Sequence, residues 1–288
     1  MNRETALITG SSSGIGLHLA HEFASHGHPV VLVAPVLSEL ENVGTDIQSK
    51  HNVPVEIIAK DLEQENAGRE IFDQLTETGT KIDILVNNAG HGFRGKSWEI
   101  ALEQDISMVR LNIEAVLGLT KHFLPLMIQR RRGRILNVGS VAGFNAGPLL
   151  NVYHATKAFV NSWSEALATE LKDTHCGVTV TTLCPGPTDT DFFPKAGMVD
   201  TRVFQKASVS APQDVAKAGY EGLMKGELFV VPGMMNKALV ASRRILSEGA
   251  QASLNQAFYQ KVPPEDLNRD RGDFEQAEVG SKRGSYEE

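Results

Sequence analysis

Hydrophobic residues along the chain gather in short, β-branched runs that do not alternate with polar ones: Ala6–Ile8, Val30–Val33, Val55–Ala59, Ile84–Val86, Ile135–Val138, Val178–Leu183 and Leu228–Val231. Runs of that kind predict strands covered on both faces, because a strand with one wet face alternates. Between them, apolar positions recur at helical spacing over roughly 15–26, 37–50, 64–77, 98–130, 152–173 and 212–225. Strand then helix, repeated about six times, predicts an α/β fold: one doubly wound parallel sheet of Rossmann type, in a single domain over 1–233.

The punctuation agrees with those periods. Arg130, Arg131 and Arg132 precede Gly133, placing cations at the negative end of a helix dipole and a residue tolerant of left-handed geometry after it. Residues 187–211 fall outside the repeat and hold Pro187, Pro194 and Gly197; a long loop in a compact domain is usually functional, and a substrate lid is expected there. Residues 234–262 read as one amphipathic helix carrying Met235, Leu239, Leu246, Leu254 and Phe258. The stretch 263–288 is dense in charge and nearly free of large apolar residues, the composition of a disordered tail.

Composition narrows the class. With 288 residues, 41% of them hydrophobic and 22% charged, the chain can bury a full core, and a fibre, a coiled coil or wholesale disorder is excluded. Its 28 Lys+Arg against 35 Asp+Glu give a net charge of −7, which argues against nucleic acid as a partner. No window approaches about 18 uninterrupted apolar residues, so no integral membrane segment is expected. A strand-like run from Thr5 leaves no charged-then-apolar leader. Cys176 and Cys184 bracket one predicted strand, roughly 26 Å apart at a strand's rise per residue, beyond reach of a disulfide. Two unpaired thiols suit a reducing, cytoplasmic compartment.

The candidate chemistry lies at strand ends. After the first strand comes Thr9-Gly10-Ser11-Ser12-Ser13-Gly14-Ile15-Gly16, followed at once by a helical pattern. Glycines there let the backbone turn tightly and approach a pyrophosphate held on the free N–H groups of a helix start. Tyr153 and Lys157 are four apart on a predicted helix, so phenol and ammonium share one face. A phenol titrates near ~10, and a neighbouring cation favours its ionised form; Lys157 is placed to be that cation. Ser140 follows the fifth strand, where a hydroxyl can orient a carbonyl oxygen.

These residues resemble the classical short-chain dehydrogenase/reductase family over about 4–233. The resemblance rests on the Gly10–Gly16 loop, Asp61, Asn87-Asn88-Ala89-Gly90, Asn112, Ser140, Tyr153 with Lys157, and Pro185-Gly186, all in order. It implies an NAD(P)-dependent enzyme interconverting carbonyl and alcohol by hydride transfer. Asn112, Ser140, Tyr153 and Lys157 are then the catalytic set: Tyr153 the acid or base, Lys157 depressing its pKa and binding the nicotinamide ribose, Ser140 holding the substrate oxygen, Asn112 supporting a relay water. Gly10, Ser12, Ser13, Gly14, Ile15 and Gly16 then cradle the pyrophosphate. Asp61 and Leu62 flank the adenine, Asn88, Ala89 and Gly90 line the adenosine ribose, and Pro185, Gly186, Thr188 and Thr190 hold the nicotinamide half. Read without the family, Asp61 also suits a cap for a helix near Glu63, and Pro185-Gly186 a plain turn. A homodimer or homotetramer through the helices at 98–130 and 152–173 is a further implication.

One departure stands out. Where the family places an acid for the 2′-hydroxyl of NAD or a base for the 2′-phosphate of NADP, this chain has Val33-Ala34-Pro35-Val36. The missing acid removes a repulsion, and Ser11, Ser12 and Ser38 remain as neutral donors, so NADP(H) is expected over NAD(H), with dual use open. No metal is expected: His21-Glu22 and His26 are about 140° out of line on a helix, and His175, Cys176 and Cys184 lack further ligands. Ser140 lacks the glycines two residues either side that mark a hydrolase nucleophile. The expected pocket wall is His91, Phe93, Ala142, Phe144, Leu149, Leu150, Phe192, Phe193 and Met198, mostly apolar, which predicts a hydrophobic substrate. The alternatives are a nucleotide-binding sensor or scaffold without turnover, and an epimerase or dehydratase on the same fold.

Overall fold

The structure is a computed structural model that describes residues 3–206, 209–243 and 245–267. Seven strands form one parallel sheet: β1 (Ala6–Thr9), β2 (Val30–Ala34), β3 (Val55–Ala59), β4 (Ile84–Asn87), β5 (Gly133–Val138), β6 (Val178–Leu183) and β7 (Phe229–Val230). Their order is β3-β2-β1-β4-β5-β6-β7, so the connections reverse direction between β1 and β4 and open a crevice at the strands' carboxyl ends. Ala6, Leu7 and Ile8 pair with Val30, Val31 and Leu32 on one side and with Ile84, Leu85 and Val86 on the other.

Both faces are covered, which is why the strand runs do not alternate. Ile8, Leu32 and Val86 pack against α1 (Gly14–Ser25), α2 (Leu37–His51) and α9 (Pro212–Lys225) through Leu19, Phe23, Leu40, Ile47 and Leu223. Their immediate neighbours Leu7, Val31 and Leu85 face the opposite layer, built from α3 (Ala67–Glu77), α5 (Ala115–Gln129) and α6 (Asn151–Asp173) through Ile71, Leu75, Leu119, Phe123, Met127 and Leu171. Each such side chain contributes about 1.5–3 kcal/mol on burial.

The helix expected over 98–130 begins later, at α4 (Leu102–Val109), and passes into α5 through a π-turn at Arg110–Glu114. Together Leu102–Gln129 are long and apolar enough to cross a bilayer by length and composition; their buried residues include Met108, Leu119, Phe123 and Met127. Beyond α5 the left-handed residue is Arg131, φ 53°, not Gly133, which belongs to β5 and packs on Met127. Arg130 and Arg131 donate to the carbonyls of Ile82 and His175, and Arg132 and Arg134 pair with Glu4, so this basic cluster ties the sheet's amino edge together.

The segment 187–211 is folded over its described residues. It contains α7 (Phe192–Lys195) and α8 (Arg202–Lys206), and its base is closed by Asp189 N–H to Ser210 O and Ser210 N–H to Pro187 O. The expected single helix over 234–262 is two, α10 (Met234–Ser242) and α11 (Glu248–Tyr259). Ser247 caps the second by accepting from Ala250 N–H, with Glu248 in the first turn, a start signal inside the apolar pattern. The tail expected from 263 enters the fold further than its composition implied: Pro264–Asp266 make a helical turn and Asp266 pairs with Lys206. Residues 268–288 lie outside the described residues.

Candidate active site

Loops from the carboxyl ends of the strands enclose a cleft of about 480 Å³. One end is the turn from β1 to α1. Gly10 and Gly14 have φ of 64° and 56°, left-handed values that favour glycine. A Cβ on Gly16 would fall 2.0 Å from the Gly10 carbonyl oxygen, so only glycine lets the helix rise this close to the turn. Ser13, the residue before α1, makes no capping hydrogen bond, and the first turn carries no acid; the helix start presents its N–H groups to the cleft, a ready anion site. Thr190 closes the opposite wall, its Cβ and Cγ2 each 3.2 Å from where a Gly14 Cβ would stand.

Most sequence-derived cofactor positions line this cleft: Gly10, Ser12, Ser13, Gly14, Ile15, Asp61, Leu62, Asn88, Ala89, Gly90, Pro185, Gly186, Thr188 and Thr190. Gly16 lies beneath it, shaping the turn without facing the space. Ser11 and Ser38 are not in the wall: Ser11 is fully buried with its hydroxyl on Val33 O, and Ser38 is exposed on α2. Asn88 faces the cleft but its amide is engaged by Thr9 O and Gly10 O, at 2.8 and 3.2 Å, bracing the turn. Asp61 accepts Glu63 N–H at 2.9 Å, so it also shapes the local turn. These observations fit a dinucleotide: a bare helix start for the pyrophosphate, a glycine cradle, and a cleft long enough to run from Asp61 to Tyr153.

The other end holds the titratable groups. Lys157 Nζ donates to Val138 O at 2.8 Å and stands 5.9 Å from the Tyr153 ring centre. Asn112 Oδ1 and Lys157 Nζ converge on Gly90, 3.0 and 3.3 Å from its Cβ position. Asn112 itself is buried in the π-turn and grips His91 from both sides, accepting its N–H at 3.1 Å and donating to its carbonyl at 2.9 Å. Its Nδ2 also reaches Thr156 Oγ1 at 3.0 Å. Among helical irregularities, π-turns frequently mark functional sites.

Burial sets the protonation states. It pushes the Tyr153 phenol up to about 12, with the Ser140 hydroxyl opposing, and pushes the Lys157 ammonium down to about 8. The expected depression of Tyr153 by Lys157 is therefore not the dominant effect: Ser140 is the group that lowers it. Cys184 is raised to about 12 by burial, so its thiol stays protonated beside Lys157. His91, lowered chiefly by burial with Glu63 opposing, contacts Ser107 Oγ at 3.0 Å and Glu63 at 3.2 Å.

The apolar wall comprises Ala142, Leu150, Phe192, Phe193 and Met198, together with His91. Three expected members are elsewhere. Phe93 packs edge-on to His91, Phe144 lies against Phe229 and under Arg243, and Leu149 occupies a left-handed turn with φ 71°. Sequence reading missed Lys60 and Glu39 at the adenosine end and Tyr259 at the other. Lys60 directly precedes Asp61 and was available as a signal; Tyr259 was not, because nothing in sequence spacing brings residue 259 to residue 153. Among the described residues, no group of three or more His, Cys, Asp or Glu is placed to hold a metal ion.

Residues 4–200 match the family model for short chain dehydrogenase. The chain is 36% identical over 188 residues to the human very-long-chain 3-oxoacyl-CoA reductase, spanning 63% of this chain and 58% of that protein. A short-chain dehydrogenase from Sphingobium yanoikuyae, solved in complex with NADPH, superposes with a TM-score of 0.75 at 32% identity, over 87% of this chain and 94% of that one. The bulky-bulky ketone specific alcohol dehydrogenase of Comamonas testosteroni superposes with a TM-score of 0.71 at 29% identity, over 86% and 96%. With that family model covering most of the chain, and the strand order and crevice built as above, the chain belongs to the short-chain dehydrogenase family and is an NAD(P)-dependent oxidoreductase.

Proposed function

We propose that this protein reduces a hydrophobic ketone or aldehyde, or oxidises the matching alcohol, with Tyr153 as general acid or base. The observation that carries the reading is the convergence of Tyr153, Ser140 and Lys157 at the apolar end of a cleft whose other end fits a dinucleotide. Bound nicotinamide supplies or accepts the hydride. Ser140 holds the substrate oxygen beside the phenol, and Tyr153, neutral at pH 7, gives its proton to that oxygen as negative charge develops. Lys157, anchored on Val138, holds a positive charge next to the phenol and stabilises it when it ionises. Asn112 keeps the His91 backbone and Gly90 in place. Phe192, Phe193, Met198 and Leu150 exclude water and favour apolar substituents. The human relative is named for very-long-chain 3-oxoacyl-CoA and the Comamonas enzyme is described as specific for bulky-bulky ketones, both large carbonyl substrates, which supports a roomy pocket here.

NADP(H) is the proposed preferred coenzyme. Lys60 stands in the cleft wall with Ala34 and Pro35, where a cation favours a 2′-phosphate; its ion pair with Glu70 and the nearby Glu39 temper that preference. A homo-oligomer in the cytoplasm completes the proposal, with Leu102, Ile106, Leu126 and Ile128 exposed on α4 and α5.

Titration with NADPH and NADH, followed by a panel of apolar carbonyl compounds, tests the whole. Oxidation of NADPH on adding a bulky ketone is expected. Tyr153→Phe should abolish turnover with the NADPH dissociation constant unchanged; retained turnover, or binding without turnover in the unaltered protein, refutes the reading in favour of another acid or a sensor. Lys60→Ala should weaken NADPH about tenfold, roughly 1.4 kcal/mol, and leave NADH nearly unaffected; equal effects on both would remove Lys60 from the 2′ site.

A further inference from the structure

The cleft contains a second phenol that the proposed reaction does not use. Tyr259, the last residue of α11, lines the cleft, and its hydroxyl lies 2.9 Å from His154 Nε2. His154 follows Tyr153 directly, is 3% exposed, and packs its ring on Gly147, where a Cβ would come within 2.1 Å of it. Its other nitrogen, Nδ1, lies 2.7 Å from the Asn145 carbonyl oxygen.

The Ala142 carbonyl also acts on this ring, but the hydrogen-bond distances are to Asn145 O and Tyr259 Oη, and they assign the hydrogens. A carbonyl only accepts, so Nδ1 carries the ring hydrogen; in the neutral ring Nε2 is then an acceptor, and the Tyr259 hydroxyl donates to it. Burial lowers the His154 pKa, which keeps the ring neutral. With its hydrogen engaged, the Tyr259 oxygen shows only lone pairs to the cleft. Burial raises the Tyr259 pKa, and negative charge on Tyr153 raises it further.

The position is rigid. Arg94 Nε donates to Tyr259 O at 2.7 Å, Asn255 Nδ2 donates to Ala146 O at 2.8 Å, and the His154 and Tyr259 rings meet edge-on with centres 5.6 Å apart. The polarity is opposite to that of the reaction centre. Tyr153 and Ser140 offer hydrogens to a carbonyl oxygen, whereas Tyr259 offers an acceptor set among Leu150, Phe193, Met198 and Val203.

We propose that Tyr259, held by His154, is a specificity-determining residue that selects apolar carbonyl substrates bearing a hydrogen-bond donor, a hydroxyl or amide N–H, near the reacting carbonyl. This deepens the reductase reading and rests on it. A site built to pair with a donor discriminates strongly against the analogue lacking one, because its own acceptor is otherwise left buried and unpaired.

The test uses matched pairs of bulky ketones in which a hydroxyl one, two or three carbons from the carbonyl is replaced by methyl. Binding to the NADPH-saturated protein is read by calorimetry, so the result does not depend on turnover; reduction rates are measured separately. For at least one pair, the unaltered protein should bind the hydroxylated member tenfold or more tightly, about 1.4 kcal/mol. In Tyr259→Phe that ratio should fall to near one, with the affinity for the methyl member and for NADPH kept within about twofold of the unaltered protein. His154→Leu frees the Tyr259 hydrogen, so the hydroxyl can donate as well as accept, and should let a methoxy analogue bind as well as the hydroxylated member; His154→Gln, which retains an acceptor, should restore the discrimination against methoxy. No preference in the unaltered protein, an unchanged ratio in Tyr259→Phe, or an equal loss for both members overturns the proposal. Discrimination in binding without reduction of any ketone would instead count against the reductase reading and leave the Tyr259 selectivity supported.

Discussion

Tyr153 and Lys157 sit where burial opposes the charged form of each, and the directions decide the proton chemistry. The phenol, pushed up to about 12, is a stable acid at neutral pH, suited to reduction; oxidation needs it ionised and should accelerate with rising pH. The ammonium has a folded pKa of about 8 against an ordinary 10.5, so between those values the unfolded chain binds more protons and stability rises with pH. Below about 8 the full penalty is present, roughly 3 kcal/mol for a shift of that size. Lys157→Met removes it but leaves Val138 O unpaired, a net gain of about 0–2 kcal/mol at pH 7. Urea unfolding should show the variant at least as stable at pH 7 and any gain gone by pH 10.5, with turnover lost; a variant less stable at pH 7 would mean the cation is not penalised in the fold.

At the scale of elements, α1 and the turn before it behave as one part. Gly16→Ala places a methyl 2.0 Å from Gly10 O, and neither atom can yield without moving the helix. A loss of about 1–3 kcal/mol in unfolding free energy is expected, with NADPH affinity falling as the pyrophosphate cradle opens; unchanged affinity by fluorescence titration would detach this helix start from the cofactor. That cradle was legible from sequence because its requirement is local: glycines, a strand before, a helix after. So were the strand runs, since Leu7 and Ile8 face opposite layers and both must be apolar. The break between α10 and α11 was masked because Leu246 and Leu254 continue an apolar pattern across it, while the start signal at Ser247 and Glu248 is only two residues wide. Tyr259 was hidden for a different reason: its partner His154 is 105 residues away, and a contact between distant elements leaves no period to read. Phe93, Phe144 and Leu149 failed as wall residues because proximity in sequence to Gly90 or Tyr153 does not fix which way a loop residue turns.

Over the whole molecule, the chain returns to the cleft after leaving the sheet. Thr201 bridges Lys261, Arg202 N–H donates to Gln260 O at 3.0 Å, and Val262 N–H donates to Asp200 O at 2.8 Å, while Lys261 and Arg94 both pair with Asp200. The segment carrying Phe192, Phe193 and Met198 is thus stitched to residues beyond α11. Removing 261–288 leaves Tyr259 in place but cuts the Lys261 and Val262 stitches. Hydrogen exchange in 192–206 should then quicken, and KM for a bulky ketone should rise about tenfold, the effect of losing one buried side chain and its backbone bond. NADPH affinity should hold, since the cradle is at the other end; unchanged exchange would show the segment to be self-supporting.

Domains emerge from the ribosome amino end first, and this stitching gives the enzyme an order of completion. Gly10–Gly16, Ser140, Tyr153 and Lys157 are all made before α9, whose Val215, Tyr220 and Leu223 then complete the core beneath α1. The wall of the substrate compartment is completed only by Tyr259, and its stitching to Asp200 only by Lys261 and Val262. The order of synthesis therefore lays down the coenzyme cradle before the residues argued to choose a substrate.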